Sequence, residues 1–179
     1  MNNLLRVERK NKSVARQNLS QTKIIGIDPG STMIGYGVIS YKNSDKKPKA
    51  VGYGYIDLRK YPCTAERLLQ LYRDMKELIK HYKPLSIAIE NVYLFKNAKT
   101  FTPVIQSKGV IILAAAEAYI NIYEYTPLQI KQTISGYGKA DKMLVQKLIQ
   151  TSLGINLEIS PDDTSDALAV ALCHMRHLL

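Results

Sequence analysis

The amino-acid sequence predicts an α/β protein with a mixed five-stranded sheet flanked by helices. Two observations support this prediction: short β-branched runs bounded by turn residues, and longer segments whose apolar residues recur at helical spacing. The chain has 179 residues, of which 46% are hydrophobic, so one compact domain with a single core accounts for its size.

Five segments have the pattern of strands, since they are short, rich in β-branched or aromatic residues and bounded by glycine, proline or polar residues. The predicted strands are Ile24–Asp28, Ile34–Tyr41, Val51–Asp57, Leu85–Glu90 and Ile122–Tyr125. The first three are joined by short links, which predicts an antiparallel meander. A helix is expected between the third and fourth strands, and this order favours a parallel crossover.

Five further segments have the pattern of helices. The predicted helices are Ala65–Tyr82, Pro103–Tyr119, a short one after Pro127, about Ala140–Leu153, and one from near Pro161 to the C-terminus. Val110–Ala116 within the second helix is apolar nearly all round, so we expect part of this helix to contact a second subunit. The resulting order, β-β-β-α-β-α-β-α-α-α, is that of the ribonuclease-H-like fold.

The formal net charge of +10 favours a polyanionic partner such as nucleic acid, although charge alone does not separate DNA from RNA or from an anionic membrane. The longest apolar run, Gly109–Ala116, is too short to span a bilayer, and no secretory signal is present. The two cysteines, Cys63 and Cys173, form neither a disulfide framework nor a zinc pattern. These features predict a cytoplasmic protein with reduced thiols.

The N-terminus differs in composition from the rest of the chain. It carries five basic residues against the single acid Glu8, so we expect residues 1–22 to form a basic, disordered arm that adds non-specific phosphate affinity. Residues 23–179 form the predicted folded domain. An arginine-rich, acid-poor N-terminus is also typical of organelle transit peptides, which makes organelle import an alternative to the cytoplasm.

Two acidic residues end predicted strands. Asp28 ends the first strand at the Pro29-Gly30 turn, and Glu90 ends the fourth. Taken singly, Asp28 is explained as a turn-initiating residue and Glu90 as a residue leaving the core. In the predicted fold, however, the first and fourth strands are neighbours, so both acids lie at the same end of the sheet, where ligands bind.

Two more acids, Asp163 and Asp166, are three residues apart at the start of the last helix, and this spacing puts them on one face. With Ser160 as the N-cap, capping and the helix dipole account well for Asp163. They account less well for Asp166, which lies beyond the first turn and opens an apolar stretch.

Three or four acids meeting in one place would repel one another unless a cation were present. Oxygen ligands suit Mg²⁺, for which Mn²⁺ can substitute. Two such ions, roughly 4 Å apart, can activate a water molecule and stabilise a leaving 3′ oxygen. The four acids therefore predict metal-dependent phosphodiester hydrolysis, with two ions at the site.

Four motifs, in order and at suitable spacing, resemble the RuvC family of Holliday-junction resolvases. They are Gly26–Ser31 followed by Gly35–Val38, Ala88–Glu90 followed by Lys96-Asn97, Gln129–Gly138, and Asp163–Ala169. The resemblance runs from about Lys23 to His174, which is nearly the whole chain beyond the arm.

The resemblance implies a homodimeric bacterial endonuclease, with residues 23–179 as the nuclease domain. Such enzymes make paired symmetric nicks across four-way DNA junctions in recombination and repair, require Mg²⁺ or Mn²⁺, and work with a branch-migration complex of the RuvA and RuvB type. The family's metal-binding acids correspond to Asp28, Glu90, Asp163 and Asp166. Its junction-stacking aromatic residue corresponds to Tyr93, and its lysines near the cleaved backbone correspond to Lys131 and Lys142.

The residues alone support these DNA-binding roles only in part. A ring beside an acidic site can stack on an unpaired base. The alternatives are that Tyr93 is a surface tyrosine capping a helix and that Lys131 is a solvated lysine. Lys142 opens a helix, where a cation opposes the dipole, and this placement favours an external anion. The sequence assigns no direction to three further lysines, Lys96, Lys99 and Lys108.

Three other functions are compatible with parts of the sequence. The Asp-Pro-Gly-Ser turn also resembles the phosphate loop of actin-like sugar kinases, but those proteins have about twice this length and a second copy of the loop. A junction-binding module without catalysis would need only basic residues and the aromatic ring, and it leaves four acids unexplained. A related nuclease acting on RNA or on transposon ends is separated from a junction resolvase only by the family resemblance.

Overall fold

The computed structural model describes residues 21–42, 44, 47–91, 98–138, 140–155 and 162–179, with the backbone alone at 98–100, 162 and 163. The predicted arm, residues 1–22, therefore lies outside the described residues except for Gln21 and Thr22. Within the described ranges, no helix is both long and apolar enough to cross a membrane.

The five strands form one mixed sheet in the order β3-β2-β1-β4-β5. Their bounds are β1 Thr22–Asp28, β2 Met33–Tyr41, β3 Lys49–Asp57, β4 Ser86–Glu90 and β5 Asn121–Tyr125. The first three pair in antiparallel fashion, while β4 pairs in parallel with β1 on one side and with β5 on the other. The predicted meander, the parallel crossover and the adjacency of the first and fourth strands are confirmed.

The five helices are α1 Thr64–Tyr82, α2 Ala98–Glu117, α3 Pro127–Ser135, α4 Lys142–Leu153 and α5 Asp162–Leu178. Thr126 and Gln129 form a capping box at the start of α3, and Asp141 caps α4. The predicted start of α2 at Pro103 was wrong, because the helix already begins at Ala98. Proline is most common in a first turn, but here it lies in the second, where its missing N–H removes one helical hydrogen bond.

Side chains alternate between two cores, one on each face of the sheet. Ile25 and Ile27 of β1 pack with residues of α1 and α2, whereas Ile24 packs with residues of α3, α4 and α5. The same alternation in β4 puts Ile87 and Ile89 toward α1 and α2, and Ala88 toward the other three helices. We call the second side the α5 face.

Helix α5 lies directly on the backbone of β1 and β2, which is possible because glycines face it. Gly26 and Gly37 are paired across the two strands. A Cβ atom at Gly26 would meet the carbonyl oxygen of Ala167 and lie 2.5 Å from the amide nitrogen of Ala171, and one at Gly37 would lie 2.7 Å from the amide nitrogen of Leu168. Since the atoms of α5 in these contacts are backbone atoms, only a shift of the whole helix would relieve the close contacts.

We expect Gly26→Ala to lower the free energy of unfolding by at least about 2 kcal/mol, because overpacking against backbone has no flexible side chain to absorb it. Thermal unfolding followed by circular dichroism measures the effect. Gly109→Ala is the matched control, compared in a chain carrying Ile112→Glu and Leu113→Glu because Gly109 lies in α2, the helix expected to contact a second subunit. Within one chain, a Cβ atom at Gly109 would have no neighbour within 4 Å among the described residues outside its own stretch of helix. There the same change should stabilise the protein by up to about 1 kcal/mol. Equal effects at the two sites would contradict the close approach of α5.

Candidate active site

Two acids from neighbouring strands share one row of the sheet. Ile27 of β1 is in register with Ile89 of β4, and Asp28 and Glu90 follow these two residues. Adjacent strands lie about 4.8 Å apart, so the two acids occupy equivalent positions a strand spacing from each other. Their shared end of the sheet agrees with the expectation from the sequence. Both also have the side-chain parity of the α5 face.

Helix α5 brings a third acid to this end of the sheet. Asp166 and Glu90 both line a cavity of about 250 Å³. Its other lining residues are two lysines and four apolar residues, namely Lys131, Lys142, Pro127, Ile130, Val145 and Ala169. Lys131 comes from α3 and Lys142 from the first position of α4. The cavity thus has carboxylates from the sheet and α5, cations from α3 and α4, and four apolar residues in its walls.

The charges in this cavity act on one another through a largely apolar environment. Burial and the nearby Asp166 carboxylate raise the pKa of Glu90 from 4.5 to about 7, against the opposing effect of Lys131 and Lys142. Lys142 Nζ lies 3.3 Å from Asp166 Oδ2 and donates a hydrogen bond to it. Glu90 therefore lacks enough positive charge around it to ionise fully at neutral pH.

The hydrogen bonds of a buried histidine fix the position of α5 along the strands of the sheet. The Nε2 atom of His174 lies 2.9 Å from Ser86 Oγ at the start of β4, and its Nδ1 atom lies 2.7 Å from the Tyr125 hydroxyl at the end of β5. Burial lowers the pKa of His174 to about 4, with a smaller contribution from His177, so the ring is neutral near pH 7. A neutral ring offers one donor and one acceptor to these two hydroxyls.

Helix α5 meets β4 at two places, and the distance between them is nearly the same along the helix as along the strand. From Ser86 to Glu90 the strand rises about 13 Å, and from Asp166 to His174 the helix rises about 12 Å. The helix therefore runs opposite to β4, with His174 at the start of the strand and Asp166 beside its end. The sequence analysis did not single out His174, since its partners are far away in sequence and no local spacing relates them.

The predicted site residues fall into three groups. Glu90, Asp166, Lys131 and Lys142 line one cavity, and Asp28 lies in the row of Glu90. The side chain of Asp163 and all of Tyr93 lie outside the described residues. Where side chains are described, no three acids, histidines or cysteines form a metal cage.

A divalent cation fits the residues that do meet here. The donors are carboxylate oxygens, which Mg²⁺ and Mn²⁺ prefer. The raised pKa of Glu90 has burial and the neighbouring Asp166 as its causes, and a bound cation would oppose both by favouring the ionised carboxylate. The acids can hold such an ion, while the lysines can contact an anionic ligand of that ion.

The sheet order, with acids at the ends of two adjacent parallel strands and a third on the last helix, defines a ribonuclease-H-like nuclease. A family model described as crossover junction endodeoxyribonuclease RuvC matches residues 24–174. The chain belongs to the RuvC family of crossover junction endodeoxyribonucleases, which are hydrolases acting on DNA.

Individual relatives cover nearly the same part of the chain. The crossover junction endodeoxyribonuclease RuvC of Caldicellulosiruptor saccharolyticus is 44% identical over 153 residues, covering 86% of this chain and 92% of that protein. The protein of the same description from Caldanaerobacter subterraneus is 43% identical, with 85% and 91% covered. Thermus thermophilus RuvC in complex with a Holliday junction substrate is similar in structure, with a TM-score of 0.83, 28% identity, and 88% and 94% covered.

We expect Glu90→Gln to stabilise the metal-free protein at pH 8. The unfolded chain ionises Glu90 near pH 4.5, the folded chain near pH 7. The raised pKa of Glu90 therefore contributes to the free energy of unfolding. This contribution is fully present below pH 4.5 and is lost as the pH rises through 7. At pH 8 the neutral amide should gain about 1–3 kcal/mol, and at pH 4 the two proteins should unfold alike. Thermal unfolding in EDTA at both pH values measures this.

The matched control is Glu117→Gln. Glu117 is an exposed carboxylate whose pKa is lowered by Tyr72 and Lys76, so removing its charge should give no stabilisation at pH 8. A Glu90→Gln protein that unfolds at the same or a lower temperature than the unchanged chain at pH 8 would show that Glu90 is ionised without strain.

Proposed function

We propose that this chain is a structure-selective endonuclease that resolves four-way (Holliday) DNA junctions by paired symmetric nicks, in recombination and DNA repair. Family membership gives the reaction class, and the Thermus thermophilus relative has been seen with a Holliday junction. The observation that carries the proposal for this chain is the cavity in which Glu90 and Asp166 face Lys131 and Lys142.

The metal ligands in this proposal are Asp28, Glu90, Asp163 and Asp166. When bound, two Mg²⁺ ions, for which Mn²⁺ substitutes, supply an activated water and stabilise the leaving 3′ oxygen. The chain's own contribution is to hold the acids on rigid elements, two at strand ends and two on a helix that glycines let approach the sheet. Two observations support this assignment. Asp28 and Glu90 share a row of the sheet, and burial together with Asp166 raises the pKa of Glu90, an effect that a bound cation would oppose.

Two lysines contact the DNA backbone in this proposal. Lys142 and Lys131 line the cavity beside the acids, so a phosphate next to the metal ions would lie within their reach. A phosphate held there would replace Asp166 as the anionic partner of Lys142, while Asp166 turned to the metal. Tyr93, which follows Glu90 by three residues in sequence, stacks on a junction base in the same proposal.

The assembly we propose is a homodimer, since a four-way junction has two-fold symmetry and paired nicks need two sites. Apolar side chains on α2 support this: Ile112 and Leu113 are 38% and 59% exposed, and Ile105, one heptad before Ile112, is 39% exposed. An apolar stripe of this kind is typical of a contact between subunits. We also propose a branch-migration complex of the RuvA and RuvB type as partner and the bacterial cytoplasm as the location.

Cleavage of a synthetic four-way junction tests the activity. With Mg²⁺ the full chain should nick opposing strands at symmetric positions and leave linear duplex of the same sequence intact. Asp28→Asn should reduce cleavage more than about 100-fold while junction binding persists, since even outer partners of metal ligands are worth 10–100-fold. Asp74→Asn, an acid on α1 away from the site, is the control that should cleave normally.

Three outcomes would contradict the proposal. Binding of the junction without cleavage in either Mg²⁺ or Mn²⁺ would indicate a junction-binding module. Faster cleavage of structured RNA would indicate another nuclease. Loss of junction binding together with cleavage in Asp28→Asn would give Asp28 a structural role instead.

The dimer is tested by sedimentation velocity at micromolar concentration. The unchanged chain should sediment as a dimer, and the double change Ile112→Glu with Leu113→Glu should give monomers, because two charges would be buried without partners. Leu85→Glu, at an exposed leucine before β4, should stay dimeric. A chain that sediments only as a monomer would exclude α2 as a stable interface.

A further inference from the structure

Lys108 of α2 is a buried charge on the side of the sheet away from the candidate active site. The residue is 8% exposed, and its Nζ atom donates to Glu124 Oε2 at 2.7 Å and to Asn91 Oδ1 at 3.1 Å. Lysine is almost never buried unless it is paired. The pairing joins α2, the penultimate residue of β5 and the residue that directly follows β4.

This position brings Lys108 close to the candidate site without contact with it. Asn91 follows Glu90 in the chain, and alternation directs the two side chains to opposite faces of the sheet. Glu124 is in register with Ile89, one residue before Glu90. The backbone N–H of Asn91 also donates to the backbone carbonyl of Tyr125, at 2.8 Å. The backbone on both sides of Glu90 is therefore tied to β5, and through Lys108 to α2.

We propose that Lys108 is a positioning residue for Glu90, which it places for metal binding through Asn91 and Glu124. Charge-assisted hydrogen bonds are among the strongest in proteins, and here they act one peptide unit from the carboxylate. A metal ligand has to be held within about 0.5 Å of its productive position. This inference rests on the proposed function, in that Glu90 is taken to bind the metal.

The proposal differs from two simpler roles for this lysine. A purely structural ion pair would affect folding alone, and a lysine that contacts DNA would affect junction affinity and its salt dependence. Burial against Glu124 argues against contact with DNA. The position of Asn91 next to Glu90 argues for an effect beyond folding.

The first experiment compares Lys108→Met, Lys108→Arg and the unchanged chain, well below their unfolding temperatures. Two quantities are measured: Mn²⁺ binding in the absence of DNA, from the electron paramagnetic resonance signal of the free ion, and junction cleavage against Mn²⁺ concentration. Lys108→Met should weaken Mn²⁺ binding about tenfold and shift the cleavage curve equally, since loosely placed ligands bind metals 10–100-fold more weakly. Lys108→Arg should restore both, because its planar donors can reach both acceptors.

A double change separates positioning from folding. In Lys108→Met with Glu124→Leu both charges are gone, so stability should recover relative to the single change, whereas Mn²⁺ binding should stay weak because Asn91 still lacks its donor. Lys76→Met is the matched control, because Lys76 pairs with Glu117 at 3.2 Å on the same side of the sheet but at an exposed place. It should leave Mn²⁺ binding unchanged.

The outcomes are distinct. Recovery of Mn²⁺ binding together with stability in the double variant would reduce Lys108 to a structural residue and overturn the proposal. Unchanged Mn²⁺ binding in Lys108→Met, with weaker and less salt-dependent junction affinity, would overturn it in favour of a DNA contact. If the unchanged chain binds no Mn²⁺ and cleaves no junction, the proposed function fails first, and the proposal for Lys108 fails with it.

Discussion

Helix α5 lies against β1 and β2 with no side chain between its backbone and theirs, because Gly26 and Gly37 face it. That approach determines where Asp166 lies, since the acid precedes Ala167, the residue that contacts Gly26. A helix held farther out by ordinary side chains would place Asp166 farther from Glu90. The hydrogen bonds of His174 then fix the position of α5 along β4. Packing sets the distance between the acids, and a buried polar contact sets their alignment.

The electrostatics of the cavity follow from this geometry. Bringing Asp166 and Glu90 together among apolar walls costs free energy, and the raised pKa of Glu90 is the visible sign of that cost. Lys142 offsets part of it through Asp166, although a lysine at the first position of a helix is itself disfavoured by the dipole. Asp141, which caps α4, places a compensating negative charge next to it. Ionised Glu90 and Asp166 would therefore repel each other. A divalent cation would reduce that repulsion, and a phosphate would give Lys142 another anionic partner.

Much of this arrangement could be predicted from sequence because it depends on local patterns. Short β-branched runs and helical spacing identified the elements. Their order indicated the ribonuclease-H-like fold, in which the first and fourth strands are neighbours, and this placed Asp28 and Glu90 side by side. The start of α2 was missed because Pro103 marks first turns only by preference. The roles of His174 and Lys108 could not be predicted, since their partners are Ser86, 88 residues away, and Glu124, 16 residues away. Only the assembled sheet relates such residues.

The end of β4 connects the two sides of the sheet. Glu90 faces α5 and the cavity, while its neighbour Asn91 is bonded to Lys108 of α2. On α2, Lys108 and Ile111 turn inward, whereas Ile112 and Leu113 remain exposed. In the proposed homodimer, α2 would present one face to the second subunit and anchor its other face, through Lys108 and Asn91, beside Glu90. β4 has five residues and is hydrogen-bonded on both edges, to β1 and to β5, so its backbone is held on both sides. In the proposed homodimer, the hydrogen bonds of Lys108 to Asn91 and Glu124 are the contacts through which the packing of α2 would act on the position of Glu90.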